Sequence, residues 1–291
     1  MPSLPAMADP ASSFDRYGAE EPSSPVILSV PHGGRDYPLA LRAALRVPVA
    51  ALAPLEDRHV DAVALAAHRG EAMLIQRRAR AWIDLNRSEQ ERDPAIDDGV
   101  TRKSMPLMSA KLRGGLGLVP RRVAGAGEIW ARRLDGDEVM ARILEDHRPY
   151  HAALRDALAR ARARFGAAVL LDLHSMPPLA PGQAAAGMVI GDRFGRSAAA
   201  RFVHRIETEA MASGIRTALN APYAGGHILE TQGRPATGIH AIQIEIDRSL
   251  YLDAALDRPG DGLAATARIL RRIIDAVADE ALTAPAAIAA E

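Results

Sequence analysis

The chain has 291 residues, with 36 basic and 36 acidic side chains and a formal net charge of zero; that length suffices for a buried core in one large domain or two small ones. The zero balance, with no Lys/Arg block, argues against nucleic acid as a partner and against a basic membrane-surface patch. Cysteine is absent, which excludes disulfides, thiolate nucleophiles, Cys-ligated zinc and Fe–S clusters, so any metal must be held by His, Asp or Glu.

Residues 1–24, rich in Pro, Ser and Ala, lack the basic and apolar regions of a secretory signal and are expected to form a flexible arm. No apolar run approaches the roughly 18 residues that a membrane span needs, so a cytoplasmic protein with no membrane contact is expected. Strands are expected at 26–30 (VILSV), 73–76, 81–85 (AWIDL), 167–173, 187–191 and 240–246, with a weaker one at 217–220. Helical patterns occupy 54–69, 137–165, 195–213 and 261–280. Pro54 suits the first position of its helix, leaving Asp57 in the first turn, and Gly166 and Gly214 suit helix C-termini. Segment 99–128 has neither period and reads as a long loop, a kind that often serves as a lid or binding loop. Residues 281–291 are a C-terminal tail. This alternation predicts one α/β domain with a mixed, largely parallel sheet flanked by helices.

Polar groups stand where strands should end, and in open α/β sheets ligands bind beyond the carboxyl ends of strands. The stretch PHGG carries His32, IDLNR carries Asp84, Asn86 and Arg87, and LLDLHS places Asp172 and His174 on one strand face. In IQIEIDR, Ile242, Ile244 and Ile246 share a face opposite Gln243, Glu245 and Asp247. Two His and one carboxylate with an open fourth position make the hydrolytic zinc arrangement. His32 and His174 would supply nitrogen, and Asp57 the oxygen, with the adjacent Glu56 its rival on spacing alone. Such a ligand set also suits iron, manganese or cobalt. His59 and His68 read as helix-surface residues, and there is no HExxH. Asp172 is placed to orient His174. Glu245 is the candidate proton shuttle, with a structural ion pair to Arg248 as its alternative reading. Asn86, Arg87 and Arg248 are candidates for binding a substrate carboxylate.

In order, PHGGRDYP, EDRHVD, DLNRSEQERDP, GLGLVPRRV, PYHAAL, LLDLHSMP, VIGDRFG, NAPYAGGHI and HAIQIEIDRSLYLD resemble the N-formylglutamate amidohydrolase family over about residues 25–275. The resemblance implies a catalytic domain over 25–280 with a phosphorylase/hydrolase-like fold, related to zinc carboxypeptidases and aspartoacylases. It further implies hydrolysis of N-formyl-L-glutamate to formate and L-glutamate in histidine degradation. It assigns one divalent metal, Zn2+ by preference, to His32, Asp57 and His174, the catalytic carboxylate to Glu245, and a substrate pair to Asn86 and Arg87. The related enzymes carry HxxE at the first ligand, whereas the third residue after His32 is Arg35, so Asp57 is inferred rather than carried over. Within NAPYAGGHI, Asn220, Tyr223 and His227 are expected to line the substrate pocket. A dicarboxylate substrate calls for Arg87 and one of Arg121, Arg122 or Arg248. The alternatives are the same machinery acting on another N-acyl amino acid or short peptide, and a binding protein that has lost catalysis.

Overall fold

The computed structural model describes residues 12–101, 109–179 and 186–283. The first half contains β1 (Phe14–Tyr17), β2 (Val26–Val30), α1 (Leu39–Ala44), a 3-10 helix (Val49–Leu55), α2 (Val60–Ala67) and β3 (Ala72–Gln76). Next come α3 (Ala110–Arg113), the small ribbon β4 (Arg122–Val123) and β5 (Gly127–Glu128), α4 (Gly136–Arg142), a π-helical turn (Ile143–His147) and α5 (Arg148–Phe165). The remainder comprises β6 (Ala168–Met176), β7 (Met188–Gly191), α6 (Ala200–Ala212), β8 (Thr217–Leu219), α7 (His227–Gln232), β9 (Ile239–Asp247) and α8 (Leu263–Thr283).

Strand β2 and strand β6 are buried along their whole length, as a strand covered on both faces must be. They form the centre of a seven-stranded sheet of order β1-β3-β2-β6-β9-β7-β8. The β3, β2, β6 and β9 strands run parallel, while β1 and β7 pair antiparallel to β3 and β9. The carboxyl ends of β2, β6 and β9 therefore open on one edge. Period-two alternation then separates the faces: Leu171, Leu173, Ile242, Ile244 and Ile246 enter a core shared with α2, α6 and α8. Asp172, His174, Gln243 and Glu245 face the other way, in register as Asp172↔Gln243 and His174↔Glu245.

Helix α5 covers that second face with a stripe of Tyr150, Leu154, Leu158 and Ala161, spaced by the helical period. Pro149 fits its first turn, and Gly166 ends it at φ +82°, donating its N–H to Arg162 O. The helix expected at 137–165 is interrupted by the π turn. Asp146, His147, Tyr150 and His151 are all buried, at the i, i+1, i+4, i+5 spacing of one helix face.

Three further expectations are corrected. Residues 81–85 form no strand; they are turns, with Trp82 N donating to Ala79 O and Asp84 N to Leu118 O. Ala81, Ile83, Asp84 and Leu85 are buried because this segment lies against the core, so an apolar run arises without a strand. The 54–69 helix begins only at Val60, because Pro54 lies inside the 3-10 helix and Asp57 falls in the connection. Of the N-terminal arm, residues 14–17 are edge strand β1, anchored by Phe14 packed edge-on against Tyr150 with ring centroids 5.3 Å apart. Within the 99–128 loop, residues 102–108 lie outside the described residues, as do 284–291 of the expected tail.

Candidate active site and metal centre

Beyond the carboxyl edge, a cavity of about 280 Å³ is lined by His32, Asp57, His174 and Glu245, with Asn86, Arg87, Tyr223 and Arg248 on its walls. Strand β2 delivers His32, whose carbonyl accepts the Asp57 N–H at 3.0 Å, so the connection after the 3-10 helix is tied directly to the β2 end. Strand β6 delivers His174. Asp57 Oδ2 lies 2.9 Å from His174 Nδ1 and 3.5 Å from His32 Nδ1. One ligand atom from each of His32, Asp57 and His174 lies within 4.8 Å of the other two, and all three residues are buried.

The far nitrogens of both rings are also held by carboxylates. His32 Nε2 meets Asp84 Oδ1 at 2.7 Å, and His174 Nε2 meets Asp172 Oδ2 at 2.9 Å. Asp84 is fixed in turn by the Arg80 Nε–H and the Asn86 N–H, and Asp172 accepts the Ser29 hydroxyl. Each imidazole therefore turns Nδ1 inward while a carboxylate orients Nε2, as in carboxylate–histidine–metal arrangements. His32 Nδ1 is buried with no hydrogen-bond partner, a lone-pair site that desolvation makes costly unless something fills it. The donor set thus fits a divalent ion of the zinc type.

Electrostatics separate the carboxylates. Burial opposes ionisation of Asp57, but the His174 and His32 contacts hold it well below the usual carboxylate range. Burial likewise works against a charged His174, yet Asp172 and Asp57 keep its pKa well above the ordinary imidazole value. Glu245 behaves oppositely: burial, with Asp57 adding and His174 opposing, pushes it up to about 7. Its Oε1 accepts from Gln243 Nε2 at 2.8 Å, which fixes its position on the strand face.

Glu56, the rival of Asp57, points away and bonds Tyr37 Oη and Arg58 Nη1. Asn86 is committed to structure: its amide group donates to Gln243 Oε1 at 3.2 Å, and its Oδ1 accepts the Ile228 N–H at 2.9 Å. Arg248 is buried behind Asp57, donating to Glu56 O, Ser175 Oγ and Asp57 Oδ1. The alternative reading of Glu245, an ion pair with Arg248, is not what the structure shows: Arg248 pairs with Asp57 at 3.4 Å.

Other expectations fall outside the cavity. Asn220 sits at φ +58° and spends its side chain on the Asp192–Phe194 turn, accepting from both N–H groups. Arg121 and Arg122 pair with Asp93 and Glu128. His227 faces His147 and His151, not the cavity. Conversely, Arg80 and Lys111 line the cavity unanticipated. No local pattern marks them, since Arg80 follows β3 in a turn and Lys111 lies on the one-turn helix α3.

A crystal structure of N-formylglutamate amidohydrolase from Ralstonia eutropha JMP134 superposes with a TM-score of 0.84 at 34% identity, covering 93% of this chain and 98% of that one. An N-formylglutamate deformylase of Pseudomonas putida is 32% identical over 235 residues, 79% of this chain and 82% of that protein. Its counterpart from Pseudomonas aeruginosa is 28% identical over 87% of this chain and 92% of that protein. The family profile described as N-formylglutamate amidohydrolase matches residues 24–252. With the profile spanning most of the chain and every segment of the cavity wall inside it, this protein belongs to the N-formylglutamate amidohydrolase family.

Proposed function

We propose that the protein is a metal-dependent hydrolase that cleaves the amide of N-formyl-L-glutamate to formate and L-glutamate. The observation that carries this reading is the convergence of His32, Asp57 and His174 beside Glu245 in a cavity also lined by Arg80, Arg87 and Lys111. The named activity of the relatives supports the substrate. A histidine-degradation role in the cytoplasm, implied by the family resemblance, goes with it.

The chemistry divides among the residues as follows. A divalent ion held by His32, Asp57 and His174, most simply Zn2+, would polarise the formyl carbonyl and acidify a water. Asp84 and Asp172 keep the two imidazoles aimed, and Arg248 steadies Asp57. The Glu245 carboxylate takes a proton from the attacking water and returns it to the glutamate nitrogen as the C–N bond breaks. A pKa near 7 suits both halves of that transfer, because a shuttle must accept and release at the same pH. Arg87, with Lys111 and Arg80 also lining the cavity, supplies cationic contacts for the two substrate carboxylates, and Tyr223 contributes to the same lining. Asn86 acts by bracing that wall rather than by contacting substrate.

The test is formate release from N-formylglutamate, run against N-acetylglutamate, other N-formyl amino acids and short peptides, with and without added zinc after chelation. Formylglutamate should be turned over fastest, and chelation should abolish turnover. Preference for an acetylated or peptidyl substrate would move the protein to the alternative N-acyl amino acid reading.

A further inference from the structure

A second set of imidazoles lies on the opposite side of the Leu85–Arg87 segment. His147 ends the π turn, His151 follows one turn later on α5, and His227 begins α7. Their ring centroids are 4.4, 5.3 and 5.8 Å apart, and one ring nitrogen of each lies within 4.8 Å of the others. They wall a cavity of about 460 Å³.

Hydrogen bonding decides which nitrogens are available. His147 Nε2 lies 2.8 Å from Arg87 O, and His151 Nε2 lies 2.8 Å from Leu85 O. A carbonyl can only accept, so both Nε2 atoms carry the proton and both Nδ1 atoms keep a lone pair. His147 Nδ1 is buried with no hydrogen-bond partner. His151 Nδ1 meets only a long contact, 3.4 Å from Gln232 Nε2. Burial lowers the pKa of all three rings, with neighbouring imidazoles adding to the effect at His151, pushed down to about 3, and at His227. A ring that donates one N–H to a backbone carbonyl keeps its other nitrogen unprotonated, the tautomer and support that metal-bound imidazoles have.

We propose that His147, His151 and His227 form a second divalent-metal site, separate from the His32–Asp57–His174 centre, that braces the Leu85–Arg87 segment from behind. Three imidazole nitrogens suit a borderline ion such as Zn2+, Co2+ or Ni2+ with a fourth position left for water or carboxylate. Glu89 stands ready for it, with Oε1 3.7 Å from His147 Nδ1, although Arg148 now holds both its oxygens. Arg155 and Arg234 on the cavity wall oppose a bare cation, so the fourth ligand should be anionic. The consequence is mechanical: the carbonyls of Leu85 and Arg87 flank Asn86, whose side chain joins Gln243 of the first site to α7. An ion here would stiffen one wall of the active-site cavity without entering it.

The full-length protein is to be crystallised with zinc chloride, and anomalous difference density recorded at the zinc edge. A peak among the His147, His151 and His227 rings is expected in addition to one at His32–Asp57–His174. No peak there under excess zinc overturns the proposal, whatever the first site shows. A peak there with none at the first site supports it, and sinks the catalytic reading alone. In solution, zinc bound after dialysis against micromolar free metal should fall from two equivalents to one in His227→Ala, whose half-buried ring holds no backbone carbonyl. Unchanged stoichiometry in that variant, with circular dichroism matching the parent, overturns the second site.

Discussion

His174 and Glu245 stand directly opposite each other on adjacent parallel strands, β6 and β9, with both side chains on the face turned to the cavity. This places the carboxylate of the proposed proton shuttle beside the imidazole of a proposed metal ligand. Glu245→Gln keeps the size of the side chain and an oxygen to accept from Gln243. It is expected to lower turnover of N-formylglutamate by about 10²–10⁴-fold, the usual worth of a positioned acid–base group, with zinc content unchanged by elemental analysis. Near-parental turnover would assign the proton transfer elsewhere.

Asp172 tests whether the carboxylates behind the rings matter. Its Oδ1 accepts the Ser29 hydroxyl and its Oδ2 meets His174 Nε2. Asp172→Asn can preserve both hydrogen bonds while removing the charge that makes His174 a stronger donor. Zinc affinity, measured by competition with a chromophoric chelator, should weaken by about 10–100-fold. His174→Ala, which removes the ligand itself, should lose the ion at that centre altogether.

Arg87 reports on substrate recognition. Its guanidinium donates to Leu116 O and Asn86 O, and the residue lines the cavity. Arg87→Ala should raise KM for N-formylglutamate by about 10–100-fold, the worth of a charged hydrogen bond, with a smaller change in kcat. For either N-formylglutamine or the α-amide of N-formylglutamate, whichever lacks the carboxylate that Arg87 meets, the variant and parent should have nearly equal KM. An equal penalty on both amides and on the parent substrate would make Arg87 purely structural.

His240 gives the fold a pH dependence of its own. It is buried against Phe202, with ring centroids 4.6 Å apart, and its Nδ1 accepts the Ala199 N–H. Burial, with the Arg201 charge adding, pushes its pKa down to about 4. The unfolded chain binds the proton more readily, so this stabilisation is complete above about pH 6.5 and is lost as the pH falls toward 4. Between pH 7 and pH 5 the loss from this group should be about 2 kcal/mol. Urea unfolding checks it: His240→Asn, which offers an oxygen in place of Nδ1 and does not titrate, should show a correspondingly shallower pH dependence.

Much of the architecture can be read along the chain because strand alternation is a local property. In LLDLHS and IQIEIDR, period two alone assigns Asp172, His174 and Glu245 to one face and the aliphatic residues to the other, and the structure keeps that division. AWIDL, read as a strand because it is a short apolar run, has no strand partner although Ala81, Ile83, Asp84 and Leu85 are all buried. Burial pattern and backbone pairing are separate properties, and only the pattern is written in the sequence.

By itself the sequence determined the α/β layering, the strand tips that carry His32 and His174, and the cysteine-free chemistry open to any metal centre. The tertiary structure decided what depends on side-chain direction across long separations. Asp57 rather than Glu56 turns inward because Tyr37, Arg58 and Arg248 fix the connection between them. His227 leaves the substrate cavity for His147 and His151, which share one face at the i, i+4 spacing and pack beside the start of α7. Such choices are made by packing among elements distant in sequence, and no local period encodes which of two neighbouring side chains a fold will bury against which partner.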